Sequence, residues 1–149
     1  LWALALAVAI GTAPAREIWN PMIDAFGGCS APGLKDCTIT QSEGGVVSHF
    51  YAAANYVRGT GMQVKIDGLC DSACVLFADL ARPNVCVTED AVMRVHTVRF
   101  KSPPLTIYRD MPFSEDLRGY IAGRGGQPTT RLMTIAGDVL LRFWPLCRS

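Results

Sequence analysis

Between residues 68 and 77 the chain reads Gly-Leu-Cys-Asp-Ser-Ala-Cys-Val-Leu-Phe, and this stretch narrows the folds open to it. A β-like run over residues 62–67 leads into it, and an apolar run over residues 73–80 predicts a buried helix. Ser72 therefore falls at a strand-to-helix turn. Unpaired N–H groups and the helix dipole favour negative charge there. A nucleophile whose product is an oxyanion is well served at such a place. Helix capping is the commoner use of a serine in that position. What sets Ser72 apart is its company: a turn Ser42-Glu43-Gly44-Gly45 upstream, and His96 downstream at the end of a second β-like run.

The rest of the chain predicts an α/β order. Residues 37–40 read as a short strand running into Gly44-Gly45. Residues 46–58 read as an amphipathic helix with Val47, Phe50, Tyr51, Ala54 and Val57 at spacings of three and four, stopped by Gly59-Thr60-Gly61. After residues 73–81, strands are expected at 85–88 and 92–96, with a turn at Glu89-Asp90. Strands alternating with helices imply parallel pairing with the helices packed on the sheet. Ser102-Pro103-Pro104 opens an irregular stretch to Pro112, residues 113–122 predict a helix, and residues 134–144 a terminal helix or helix-strand.

At the N-terminus, residues 1–10 are continuously apolar, and Gly11-Thr12-Ala13-Pro14-Ala15 supplies small residues before Arg16. That pattern matches the end of a secretory signal peptide whose basic leading region is missing, over residues 1–15. The run is short for a membrane span, so no stable span is expected once the signal is removed. Residues 16–36 hold Pro21, Gly27-Gly28, Pro32 and Gly33, a loop-rich leader with one helical turn near 21–26. Six cysteines (Cys29, Cys37, Cys70, Cys74, Cys86 and Cys147) suit an oxidising compartment, periplasmic or secreted, and allow fifteen pairings. Cys29 with Cys37 would close a small loop, and Cys147 would tie down the tail. At 149 residues and net charge +1, with no basic stripe, the chain reads as one domain without a nucleic-acid partner.

The Ser-Glu-Gly-Gly turn, the Gly68-Leu69-Cys70-Asp71-Ser72-Ala73 stretch and Val95-His96 together resemble the Clp protease and crotonase superfamily, and most of all its exported bacterial Clp-like serine peptidases with a Cys-x-Ser-Ala-Cys motif. The resemblance implies a spiral of β-β-α units over residues 37–149, compact or truncated at its N-terminal side. It implies Ser72 as nucleophile, His96 as general base, the N–H groups of Gly45 and Ala73 as oxyanion hole, and Gly44 in the substrate-binding turn. It also implies a peptide or protein substrate, self-association into a homo-oligomer, and no metal or organic cofactor. Two positions depart from the family: Glu43 stands in place of proline, and Thr130 stands about where an aspartate would orient the histidine. Asp138 is the nearest carboxylate, out of register.

The alternative from a different class is a catalytically inactive, disulfide-stabilised exported domain that keeps the fold for binding or assembly. A zinc site of Cys70, Cys74, Cys86 and His96 is disfavoured by the loose Cys-x3-Cys spacing and the exported context. An α/β-hydrolase elbow needs Gly-x-Ser-x-Gly, whereas Cys70 and Cys74 hold those glycine places. His49 lies off the apolar stripe and reads as a surface residue.

Overall fold

The structure, a computed structural model, describes residues 25, 26, 29 and 35–148. The signal peptide expected over residues 1–15 and most of the leader expected over residues 16–36 lie outside the described residues. Within residues 35–148 the elements follow in order: β1 (Asp36–Ser42), α1 (Val47–Thr60), β2 (Gln63–Asp71), α2 (Ala73–Leu80), β3 (Val85–Val87), β4 (Val92–Val95), β5 (Val98–Ser102), β6 (Leu105–Arg109), α3 (Glu115–Gly123), β7 (Met133–Ala136) and a 3-10 helix (Gly137–Arg142). The protein is a mixed α/β fold.

Five strands form the main sheet, with β2 parallel to β1 on one edge. On the other edge β2 pairs in parallel first with β3, at residues 64–66, and then with β4, at residues 69–71. Two consecutive strands thus lie end to end along one long strand. β7 closes the sheet antiparallel to β4, in register from Val92↔Ala136 to Val95↔Met133. The parallel pairing expected from the element order is present.

Gly68 explains how β2 can run so far. A register shift between Ile39 and Gln41 brings β1 against it, and a Cβ at Gly68, which has φ +144°, would meet the Thr40 carbonyl oxygen at 2.2 Å. Only glycine admits that approach. The strand therefore continues to Asp71 rather than ending near Ile66, and leaves a single residue, Ser72, to turn the chain into α2.

The core lies between the sheet and the helices α1 and α2. α1 buries Phe50, Ala53, Ala54 and Val57, and ends at Gly61 in the left-handed conformation with its N–H on the Val57 carbonyl at 2.9 Å. Every residue of α2 from Ala73 to Asp79 is buried. Phe26 packs edge-on against Phe50 and Phe77, at 5.1 and 4.7 Å between centroids. Below α2, Asp79 accepts bonds from the backbone N–H and the hydroxyl of Ser114, each at 2.6 Å, and Arg82 joins Asp79 to Asp116. The Arg82 guanidinium also lies over Trp144, whose indole N–H donates to the Ala78 carbonyl at 2.8 Å.

Two regions differ from the sequence expectation. The stretch expected to be irregular from Ser102 to Pro112 is strand as far as Arg109: β5 and β6 form a two-stranded hairpin in which residues 99–109 are exposed. Its alternation is strand-like, but the Pro103-Pro104 tip hid the turn. At the C-terminus a strand precedes a 3-10 helix, because four residues from Met133 pair with β4 before Gly137, at φ +65°, turns the chain.

Three disulfides join Cys29 to Cys37, Cys70 to Cys74, and Cys86 to Cys147. The first closes the small loop, and the last ties the tail to β3, where Val87 also bonds the Pro145 carbonyl and the Cys147 N–H. With Cys70, Cys74 and Cys86 paired, the zinc arrangement is overturned. Disulfides of this number suit an oxidising compartment. Among the described residues no helix is long and apolar enough to cross a membrane.

Candidate active site

Ser72 alone makes the turn from β2 to α2, and that constraint sets its backbone. Its φ of 55° and ψ of −116° make it the one non-glycine residue with positive φ among those described. Conformations of this kind cost about 1–3 kcal/mol and persist where the surroundings over-determine them. Three features do so here. The Ser72 N–H donates to the Arg94 carbonyl at 2.7 Å, the Cys70–Cys74 disulfide brackets the turn, and Val75 and Leu76 return N–H bonds to the Ser72 carbonyl. The hydroxyl makes no capping bond to the helix. The commoner role of a serine before a helix is therefore not the one seen.

The glycine turn lies against this corner. Gly44, at φ +79°, is so close that a Cβ there would meet the Asp71 carbonyl oxygen at 2.7 Å and the Ser72 Cβ at 3.0 Å. Among the described residues neither the Gly45 N–H nor the Ala73 N–H has a hydrogen-bond acceptor. Ala73 follows Ser72 in the chain, and Gly45 lines the cleft that Ser72 lines.

His96 follows the end of β4. It lines two adjoining clefts together with Ser72, Glu43 and Thr129. The larger, of about 920 Å³, is walled by Val46, Val47 and Tyr51 from the start of α1 and by Phe100 and Tyr108 from the hairpin. Val47 and Tyr51 were expected on the buried stripe of α1. The helix is turned so that they face this cleft instead, and Tyr51 is exposed. The smaller cleft, of about 540 Å³, is polar, with Asp71, Arg94, Thr130 and Arg131. No hydrogen bond joins Ser72 to His96 among the described residues.

Of the two candidates for a third member, Thr130 lines the polar cleft and carries no charge. Asp138 lines a separate cavity with Val87, Glu89 and Leu146. His49, on α1, lines neither cleft and is half-buried rather than exposed.

Sequence reasoning missed Asp71 and Arg94. They face each other in the β2–β4 register, and the guanidinium grips the buried carboxylate with Nε on Oδ1 at 2.7 Å and Nη2 on Oδ2. The hydrogen bond to Asp71 raises the Arg94 pKa above its ordinary value, against desolvation, with Asp71 and Glu43 adding negative charge. The signal was an Asp before the serine and an Arg two residues before the histidine. It becomes visible only once β2 is known to reach Asp71.

No family model matches the chain, and no curated protein matches it.

Proposed function

We propose that this chain is an exported serine hydrolase, a peptidase of the Clp/crotonase kind, working through Ser72 and His96. The observation that carries the reading is the conformation of Ser72: a strained, uncapped serine on the wall of a cleft it shares with a histidine and with Gly45. Strain concentrated at one residue is costly, and an uncommitted hydroxyl beside oxyanion donors gives it a use.

In the reaction, Ser72 Oγ attacks the substrate carbonyl while His96 takes its proton. The carbonyl oxygen becomes an oxyanion held by the Gly45 and Ala73 N–H groups. As the intermediate collapses, the carbon–nitrogen bond breaks and His96 returns the proton to the leaving amine. Water then attacks the acyl-enzyme by the same path, with His96 as base, and frees Ser72. The hydrogen bond between base and nucleophile tightens when substrate fills such a site. The disulfides favour a periplasmic or secreted location, and the resemblance favours a homo-oligomer.

The second reading is an inactive binding module of the same fold, favoured by the uncharged Thr130 on the cleft. Intact mass after treatment with a fluorophosphonate separates the two. The hydrolase reading requires one adduct on the wild type that both Ser72→Ala and His96→Ala abolish. A folded wild type without adduct makes the binding module the better account.

A further inference from the structure

The ion pair between Asp71 and Arg94 joins the two halves of the candidate site. Asp71 is the residue before Ser72, and Arg94 lies two residues before His96, on the strand that carries it. A planar fork of two bonds fixes both the separation and the relative orientation of its partners, which a point charge does not. A third bond lies beside the fork, from the Ser72 N–H to the Arg94 carbonyl. Asp71 is buried at 4 % exposure, while Arg94 remains partly open to the polar cleft with Ser72 and His96.

We propose that Asp71 and Arg94 are positioning residues, a clasp that holds Ser72 in its positive-φ conformation at a set distance from His96; the proposal rests on the serine-hydrolase reading above. The nucleophile sits on a one-residue turn at the C-terminal end of β2, and the base sits just past the end of β4. Among the described residues no other side-chain hydrogen bond joins these two strand ends, and backbone pairing slides and twists more freely than a bidentate side-chain contact. A misplacement of about 1 Å costs a reaction of this kind on the order of 100-fold.

The test is the kinetics of fluorophosphonate labelling of the oxidised protein, resolved into the probe's dissociation constant and the limiting rate at saturation. It compares the wild type with Asp71→Asn, Arg94→Lys and the double variant Asp71→Asn/Arg94→Lys. Thermal midpoints are measured alongside. A clasp predicts a limiting rate about 10- to 100-fold lower in each single variant, with the probe's dissociation constant within about twofold. Arg94→Lys keeps the charge and the backbone carbonyl, so its midpoint falls little while its limiting rate falls. The double variant should lose hardly more than either single one, as partners in one contact do.

Limiting rates within about threefold of wild type in folded variants, or a loss carried wholly by weaker probe binding, would overturn the clasp and leave the hydrolase reading standing. A wild type that takes no label would overturn both.

Discussion

A Cβ on Gly44 would stand 2.7 Å from the carbonyl oxygen of Asp71. The two residues belong to segments 27 positions apart in the chain, and nothing larger than glycine fits between them. The glycine turn is thereby keyed to the serine turn, since the next atoms met are the Ser72 Cβ and the Ala73 nitrogen.

Gly44→Ala is the sharpest test of that contact. The substitution meets backbone rather than a yielding side chain, and it also forces an L-residue to φ +79°. We expect a loss of about 1–3 kcal/mol in urea unfolding and at least a tenfold slower reaction of Ser72 with a fluorophosphonate. An alanine variant as stable and as reactive as wild type would show that the turn does not sit against Ser72.

Cys70 and Cys74 are fully buried on either side of the serine turn. Their loop is short, so the disulfide restricts the unfolded chain little, and its removal should cost about 2 kcal/mol or less. Its effect on the turn should be larger than its effect on the fold. In Cys70→Ser/Cys74→Ser, labelling should fall by about tenfold while the thermal midpoint drops only a few degrees. Equal labelling in the variant would leave the backbone bond from Ser72 to Arg94 as sufficient to hold the turn.

Asp116 gives a pH signature. The hydrogen bond from Arg82, joined by the Ser114 hydroxyl that Asp116 shares with Asp79, holds its carboxyl well below the ordinary 3.8. A depressed carboxyl stabilises the fold above its unfolded pKa, and the contribution is lost as pH falls toward the lower folded value. The side chain is 52 % exposed, so the contribution is about 0.5–1 kcal/mol after solvent screening. Asp116→Asn should therefore be less stable than wild type by a constant margin from pH 7 to 5, with the gap closing below about pH 4. Urea unfolding at pH 7, 5 and 3 measures this, and a gap that widens in acid would contradict it.

Thr130 and Asp138 answer different questions. Thr130 lines the polar cleft with His96, so Thr130→Asp places a carboxylate where it can stabilise an imidazolium, and labelling should rise several-fold. Asp138 belongs to the cavity beside β3, and Asp138→Asn should leave the rate within about twofold. A slower Asp138→Asn variant would bring that residue back into consideration.

Much of this arrangement is legible in the sequence because it is local. The apolar run at 73–80 and the glycine at 61 define α2 and the end of α1 without help from distant residues. Ser72 could be placed at its turn because strand-turn-helix order is a short-range property, whereas the roles expected of His96 and Gly45 came from the family resemblance. The reach of β2 could not, because it depends on Gly68 admitting the Thr40 carbonyl from another strand. Everything beyond Ile66 on that strand follows from this contact, including the pairing of Asp71 with Arg94. The hairpin was missed for a different reason: two prolines at its tip read as a break, although residues on either side alternate. Tyr51 and Val47 keep helical spacing but line a cleft, since periodicity fixes a face of α1 and not what that face meets.

The bond between Cys86 and Cys147 spans 61 residues, and the exposed hairpin lies inside that span. The protein is in this sense a covalent ring with a tail that carries β1, β2 and both early helices. A protease that cuts after Lys101 would open the ring without releasing a fragment. Ser72 and His96 would remain on one piece, and the other, with α3, β7 and Trp144, would stay tethered through the cystine. The nicked molecule would run as a single species without reductant and as two with it, so the hairpin can be severed without dispersing the residues on which the proposed chemistry depends.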